Sequence, residues 1–112
     1  MNWKVNYYLT GSGKNPVFEY ILSQEVTRIN RINNALILLE EFGIEKSQLN
    51  ARKLKGRTYK GLHELIIDSS RIIYFLHTGR EFILVHAFTK KSNKTPKVEL
   101  EIARKRMKDC LR

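Results

Sequence analysis

Lys90, Lys91 and Lys94 follow directly on an apolar run and stand just before Thr95-Pro96, while Arg71 opens a second apolar run that reads Ile-Ile-Tyr-Phe-Leu. A guanidinium at the mouth of a strand can grip a phosphate through a planar fork, and ammonium groups act as point charges along a phosphate backbone. Cations gathered where strands end therefore point to a surface that handles phosphates, with nucleic acid as the natural polyanion. The plainer alternatives are a rim arginine paired with Asp68 and a solvated lysine loop.

Among titratable groups, His63, His77 and His86 each fall in or at the end of an apolar run. Imidazole moves protons near neutral pH, and His86, close to the lysine loop, is the candidate for that work. Simple alternation places it on one strand face with Phe82, Leu84 and Phe88, where a half-buried structural histidine is equally compatible. No pair of histidines has the close spacing of a recognisable metal site, so no metal is expected. Cys110 is alone, which leaves neither an internal disulfide nor a thiolate site and suggests a small packing residue. The string Gly11-Ser12-Gly13-Lys14 lacks the upstream glycine and the hydroxyl residue after lysine that a phosphate loop needs, and reads as a turn. No serine stands in a glycine elbow, so covalent acyl chemistry has no support and no cofactor is expected. Phosphoryl transfer driven by electrostatics fits better.

The charge is unevenly divided. Of 112 residues, 21 are Lys or Arg and 11 are Asp or Glu, a net charge of +10 that lies entirely in residues 51–112. With 42% hydrophobic residues and two prolines the composition is that of one folded basic domain, 1–112, rather than a disordered tail. No apolar run approaches the roughly 20 residues that span a bilayer, and Met1-Asn2-Trp3-Lys4 opens no signal-peptide core, so a cytoplasmic protein with no membrane partner is expected.

These residues must be positioned by a small set of elements. Residues 3–9 read as a strand, Pro16 to Leu22 as a short helix, and Val26, Ile29, Ile32, Leu36 and Leu39 as the apolar stripe of a longer helix ending at Gly43. The outer face of that helix, with Arg28, Arg31, Glu40 and Glu41, reads as a solvated surface. Residues 46–61 form a polar connector. Three apolar runs, Leu62 to Ile67, Arg71 to His77 and Glu81 to Phe88, are joined by links short enough to fold into a meander. Thr95 can cap a final helix with Pro96 in its first turn and Leu100, Ala103, Met107 and Leu111 as its stripe. The expectation is an α+β domain, β-α-α-β-β-β-α, with an antiparallel sheet, helices on one face, and the other face open for converging charges.

Asn15-Pro16-Val17 with Tyr20, Lys53-Leu54-Lys55-Gly56, Glu64-Leu65, Arg71-Ile72 with Tyr74-Phe75, Leu84 to Phe88 and Lys90 to Pro96 together resemble, in order and over nearly the whole chain, the HigB-like, phage-derived branch of the RelE/ParE toxin superfamily. The resemblance implies a RelE-like fold and the toxin of a type II toxin–antitoxin system, a metal-independent endoribonuclease that cuts messenger RNA on the ribosome and is inhibited by a cognate antitoxin of helix-turn-helix type. By position, Arg71 corresponds to the family's arginine at the scissile phosphate and Lys91 to the cation after the last strand. Lys53 and Lys55, with Lys90, Lys94 and Lys97, are expected to hold RNA. The catalytic set is thus Arg71, Lys91 and a proton-transfer group, which is His86 or a lysine of the 90–94 loop. Ile66 stands where an arginine is usual after Glu-Leu, and no tyrosine follows Tyr74. Two other readings share the fold or the charge: a gyrase-poisoning toxin of the ParE type, and a non-catalytic nucleic-acid-binding module.

Overall fold

The computed structural model describes residues 2–112; Met1, the first residue of the expected domain, lies outside the described residues. Strand β1 (Lys4–Tyr7) leads to helices α1 (Pro16–Leu22) and α2 (Val26–Phe42). Strands β2 (Ala51–Lys53), β3 (Leu62–Ile67), β4 (Ser70–Thr78) and β5 (Glu81–Thr89) follow, and α3 (Lys97–Cys110) comes last. Single 3-10 turns lie at Lys46–Gln48 and Arg57–Tyr59. No helix among the described residues is long and apolar enough to cross a membrane.

The α+β class and the order of the expected elements hold, with three corrections. First, the sheet is mixed and has five strands in the order β1-β5-β4-β3-β2. Helices α1 and α2 carry the chain from one sheet edge to the other, so the meander returns to set β5 beside β1, and that pair is parallel. Second, the polar connector contains β2, an edge strand with no apolar alternation to announce it. Its pairing with β3 places Arg52 opposite Glu64.

Third, helices cover both faces. Ile72 and Tyr74 of β4 join Val17, Ile21, Ile32, Leu36 and Leu39 of α1 and α2 in one core. Ile73 and Phe75 join Leu62, Val85, Phe88 and Ala103 of α3 in the other. A strand apolar on both sides must be covered on both sides, which an open face could not do.

A bulge in β5 redirects one candidate residue. Ile73 pairs with His86 and Tyr74 with Leu84, so Val85 is the extra residue and the alternation breaks there. Phe82 and Leu84 stay in the α1–α2 core, while His86 turns with Phe88 toward α3, away from the face that unbroken alternation predicts.

Local signals account for the helix ends. The Asn15 side chain accepts from the Phe18 N–H at 3.1 Å and Pro16 opens α1. Thr95 does not cap α3: the helix starts one residue later, after Pro96, with no side-chain cap. Leu111 falls beyond α3 at 59% exposure, and Cys110 packs against the second core in its place. Gly43 ends α2 at φ +55°, and a Cβ there would lie 2.1 Å from the Trp3 ring. Gly43→Ala should therefore cost about 1–3 kcal/mol by overpacking alone, beyond the strain of its left-handed φ. Urea denaturation measures it, and wild-type stability in the variant would contradict the Trp3 packing.

Candidate nucleic-acid interface

The turn between β3 and β4 is the base of the site. Asp68 occupies the left-handed region at φ 54°, which a short polar side chain tolerates. Its carboxylate takes Arg31 Nε at 3.0 Å and Arg28 Nε at 3.4 Å. Arg28 Nη1 also donates to Ser70 Oγ at 2.9 Å and Ser69 Oγ at 3.2 Å. From α1, the Tyr20 hydroxyl reaches Ser70 Oγ at 2.8 Å and Thr89 Oγ1 at 2.7 Å. The polar face of α2, expected to be merely solvated, thus fastens the turn from the side of the helical layer. No local sequence pattern announces this, because the partners are about forty residues apart.

The clamp also decides the state of Arg71. Asp68 is occupied by α2, so Arg71 is not its ion-pair partner; Arg71 Nη1 donates instead to the Asp68 carbonyl at 2.7 Å and the Ser70 carbonyl at 3.0 Å. Those bonds orient the guanidinium, which forms no ion pair with a carboxylate among the described residues. Arg71 Nε is buried and meets no acceptor among the described residues. Such an orphaned donor carries a desolvation cost of about 1–3 kcal/mol.

The end of β5 is pinned to the same turn by the Lys90 N–H, which donates to the Ser69 carbonyl at 2.7 Å. Arg71, Lys90 and Lys91 consequently line one open cleft of about 530 Å³ with Asp68, Ser69, Ser92 and Asn93. Lys53, Lys55 and Lys94 line a second cleft of about 350 Å³, which shares Asn93 with the first. Lys97 lines neither. It opens α3 near Glu101, whose carboxyl is held below its usual range by hydrogen bonds from Arg104 and Tyr59 and by the charges of Arg104 and Lys97.

Glu64 went unassigned in the sequence and is fully buried. Its Oε1 accepts from Arg52 Nε at 2.8 Å, and Thr95 Oγ1 lies 3.5 Å from Oε2. One carboxylate therefore spans from the edge strand to the segment before α3. Glutamate inside an apolar strand was the available signal, since a buried charge must be paired.

His86 lies outside both clefts. Its Nε2 is 2.6 Å from Glu99 Oε1, and its Nδ1 is 3.4 Å from Arg106 Nη1, a group that can only donate. Nδ1 is then an acceptor and Nε2–H a donor, which assigns a neutral imidazole with both nitrogens engaged. Burial pushes its pKa down, with the Arg106 charge adding to this and the Glu99 bond opposing it. Among the described residues no group of three His, Cys, Asp or Glu side chains could hold a metal ion.

The lowered His86 pKa fixes the sign of a pH effect. The unfolded chain takes up a proton near pH 6.5 while the folded chain resists it, so stability is lost as pH falls from about 6.5 toward the folded value. His86→Gln, neutral and still able to donate and accept, should flatten the fall in thermal stability as pH drops below about 6.5. Superimposable profiles for the two proteins would contradict the neutral, buried imidazole.

Comparison with known proteins agrees with this architecture. The family model described as "Phage derived protein Gp49-like" matches residues 19–108. No curated protein matches the chain. Among solved structures, the archaeal RelE-RelB complex from Pyrococcus horikoshii OT3 contains a chain that is 16% identical, with a TM-score of 0.60 over 80% of this chain and 97% of that one. The clamped turn and its cations thus sit on a known scaffold, and the chain belongs to the phage-derived Gp49-like family, a family of RelE/HigB-type toxins, with a RelE-like fold.

Proposed function

We propose that this toxin cleaves messenger RNA on the ribosome, by attack of a 2′-hydroxyl on the adjacent phosphate, without a metal ion. The observation that carries this reading is the convergence of Arg71, Lys90 and Lys91 on one open cleft, with Arg71 oriented by carbonyls and its Nε lacking an acceptor. Phosphoryl transfer asks a protein mainly to position the groups and to stabilise charge as it develops. Arg71 holds the scissile phosphate, and Lys91 neutralises the charge that builds on its non-bridging oxygens.

The 2′-oxygen bonds to phosphorus as its proton passes to water in the open cleft, and an ammonium group of the 90–94 loop donates the proton that the departing 5′-oxygen takes up, water restoring it afterwards. The products are a 2′,3′-cyclic phosphate and a 5′-hydroxyl. His86 acts at a distance by fixing α3 through Glu99. Lys53, Lys55, Lys90, Lys94 and Lys97 hold the flanking strand by charge. Ile66 pairs directly with Arg71 across β3 and β4, so the position where relatives carry an arginine adds no second guanidinium beside the phosphate. A cognate antitoxin of helix-turn-helix type inhibits the toxin; the solved RelE-RelB complex supports an antitoxin partner as such.

Induction in cells should arrest growth, with transcript ends mapping inside translated codons and disappearing when the start codon is removed. Arg71→Ala and Lys91→Ala should each slow cleavage by roughly 10²–10³-fold, as loss of one preorganised donor does elsewhere, with little change in thermal stability. Intact transcripts with trapped gyrase complexes, or wild-type cleavage by both variants, would contradict the proposal.

Binding separates from chemistry through its salt dependence. Each phosphate contact contributes about −0.7 to the log-log slope for a single strand, so the Lys90→Ala, Lys94→Ala double variant should flatten the slope by about 1–2 units. An unchanged slope in RNA-binding titrations would mean that these lysines only solvate the loop.

A further inference from the structure

We propose that the second cleft seats the base of a nucleotide neighbouring the scissile phosphate, on an aliphatic floor made by Leu54 and Leu100. This inference rests on the RNA-cleaving reading above and specifies how the strand leaves the first cleft. The two clefts share Asn93, so a strand whose phosphate lies on Arg71 passes directly from one into the other.

The lining of the second cleft differs from that of the first in kind. Lys53, Lys55 and Lys94 supply cations, as before, but Leu54 and Leu100 replace the serines and the aspartate. Both leucines also pack against the core beneath α3, which gives the floor a fixed position. A ligand matched to this surface must be anionic at its edges and apolar at its centre, as a nucleotide is. The volume of about 350 Å³ lies near the small end of the range for small-molecule sites. Among the described residues no aromatic side chain lines the cleft, so the base meets aliphatic carbon rather than a stacking platform, and Asn93 at the junction can both donate to and accept from a base edge.

The walls are held together by one buried anion. Arg52 Nε bonds to Glu64 Oε1 at 2.8 Å from the β2 side, and Thr95 Oγ1 stands 3.5 Å from Oε2 on the other. The Leu54 N–H donates to the Leu62 carbonyl at 3.0 Å, fixing the floor to β3. With Glu64 neutralising Arg52, the lysines remain for phosphates.

The test removes the base rather than a side chain, so protein folding cannot confuse it. A short single-stranded RNA, 2′-O-methylated at every ribose to block attack, is titrated against the full chain by fluorescence anisotropy while one abasic nucleotide is moved through each position. One position should weaken binding by about 5- to 10-fold, the low end of what an aromatic platform gives. That penalty should vanish in Leu100→Ala and persist in the volume-conserving Leu100→Met. Arg71→Ala should weaken intact and abasic RNA by equal factors. Equal affinity for all abasic positions, with Arg71→Ala still impaired in binding and cleavage, would overturn the base site and leave the RNase reading standing. A single sensitive position in a protein whose Arg71→Ala variant cleaves normally would overturn the RNase site on which the inference rests.

Discussion

Strand β4 has no solvent face over Ile72 to Phe75, and most of the architecture follows from that constraint. Ile72 and Tyr74 are covered by α1 and α2, Ile73 and Phe75 by α3, all four essentially buried. Charge can enter such a strand only at its ends, because an ion in its interior would lose its hydration without compensation. Arg71 stands at one end, and its planar group lies along the carbonyls of the preceding turn instead of crossing the sheet. The Lys90 N–H then fixes the end of β5 to the same turn. A doubly buried strand thus concentrates cations at one edge of the sheet, where a polyanion can reach them.

The same edge needs an anion for its own stability, and the way this anion is held separates structure from function. Asp68 is three residues from Arg71 and would cancel its charge if the two paired. Arg28 and Arg31 of α2 take the carboxylate instead, with the Arg31 side chain 59% exposed and that of Arg28 at 21%. Partly exposed pairs of this kind contribute little to stability, about 0–1 kcal/mol each. Their weight lies in electrostatics at the cleft: they satisfy Asp68 from the helical layer and leave the guanidinium of Arg71 for a ligand. At the second cleft the reverse holds: Glu64 pairs with Arg52 and neutralises it, which leaves the lysines as the free cations there.

What could be read from the sequence follows the range of the interactions involved. The bounds of α1 come from Asn15-Pro16, and β3 runs from Leu62 to Ile67 as its apolar pattern indicates, because both signals are local. The lysine cluster was equally legible, being compressed into one loop. The fifth strand was not, since β2 has three residues and depends on its partner for its identity. The facing of His86 was hidden by the bulge at Val85, a feature of cross-strand register that alternation within one strand cannot show. The same holds for Arg28, Arg31 and Glu64, whose partners become neighbours only once helix and sheet have packed. Resemblance to RelE-type toxins supplied the fold and the roles proposed for Arg71 and Lys91, while the orientation of Arg71 by carbonyls emerged from the structure alone.

The central claim is that Arg71, with its buried Nε, and the lysines of the 90–94 loop form the phosphate-handling surface. The most direct test is NMR of uniformly 15N-labelled protein during titration with a non-cleavable, 2′-O-methylated RNA, following the arginine Nε–H resonances and the backbone amides together. The account predicts that the Arg71 Nε–H signal shifts as the guanidinium engages a phosphate, with the largest amide shifts in residues 68–71 and 90–95. An Arg71 signal that stays unchanged while the amides of α1 and α2 shift would contradict it.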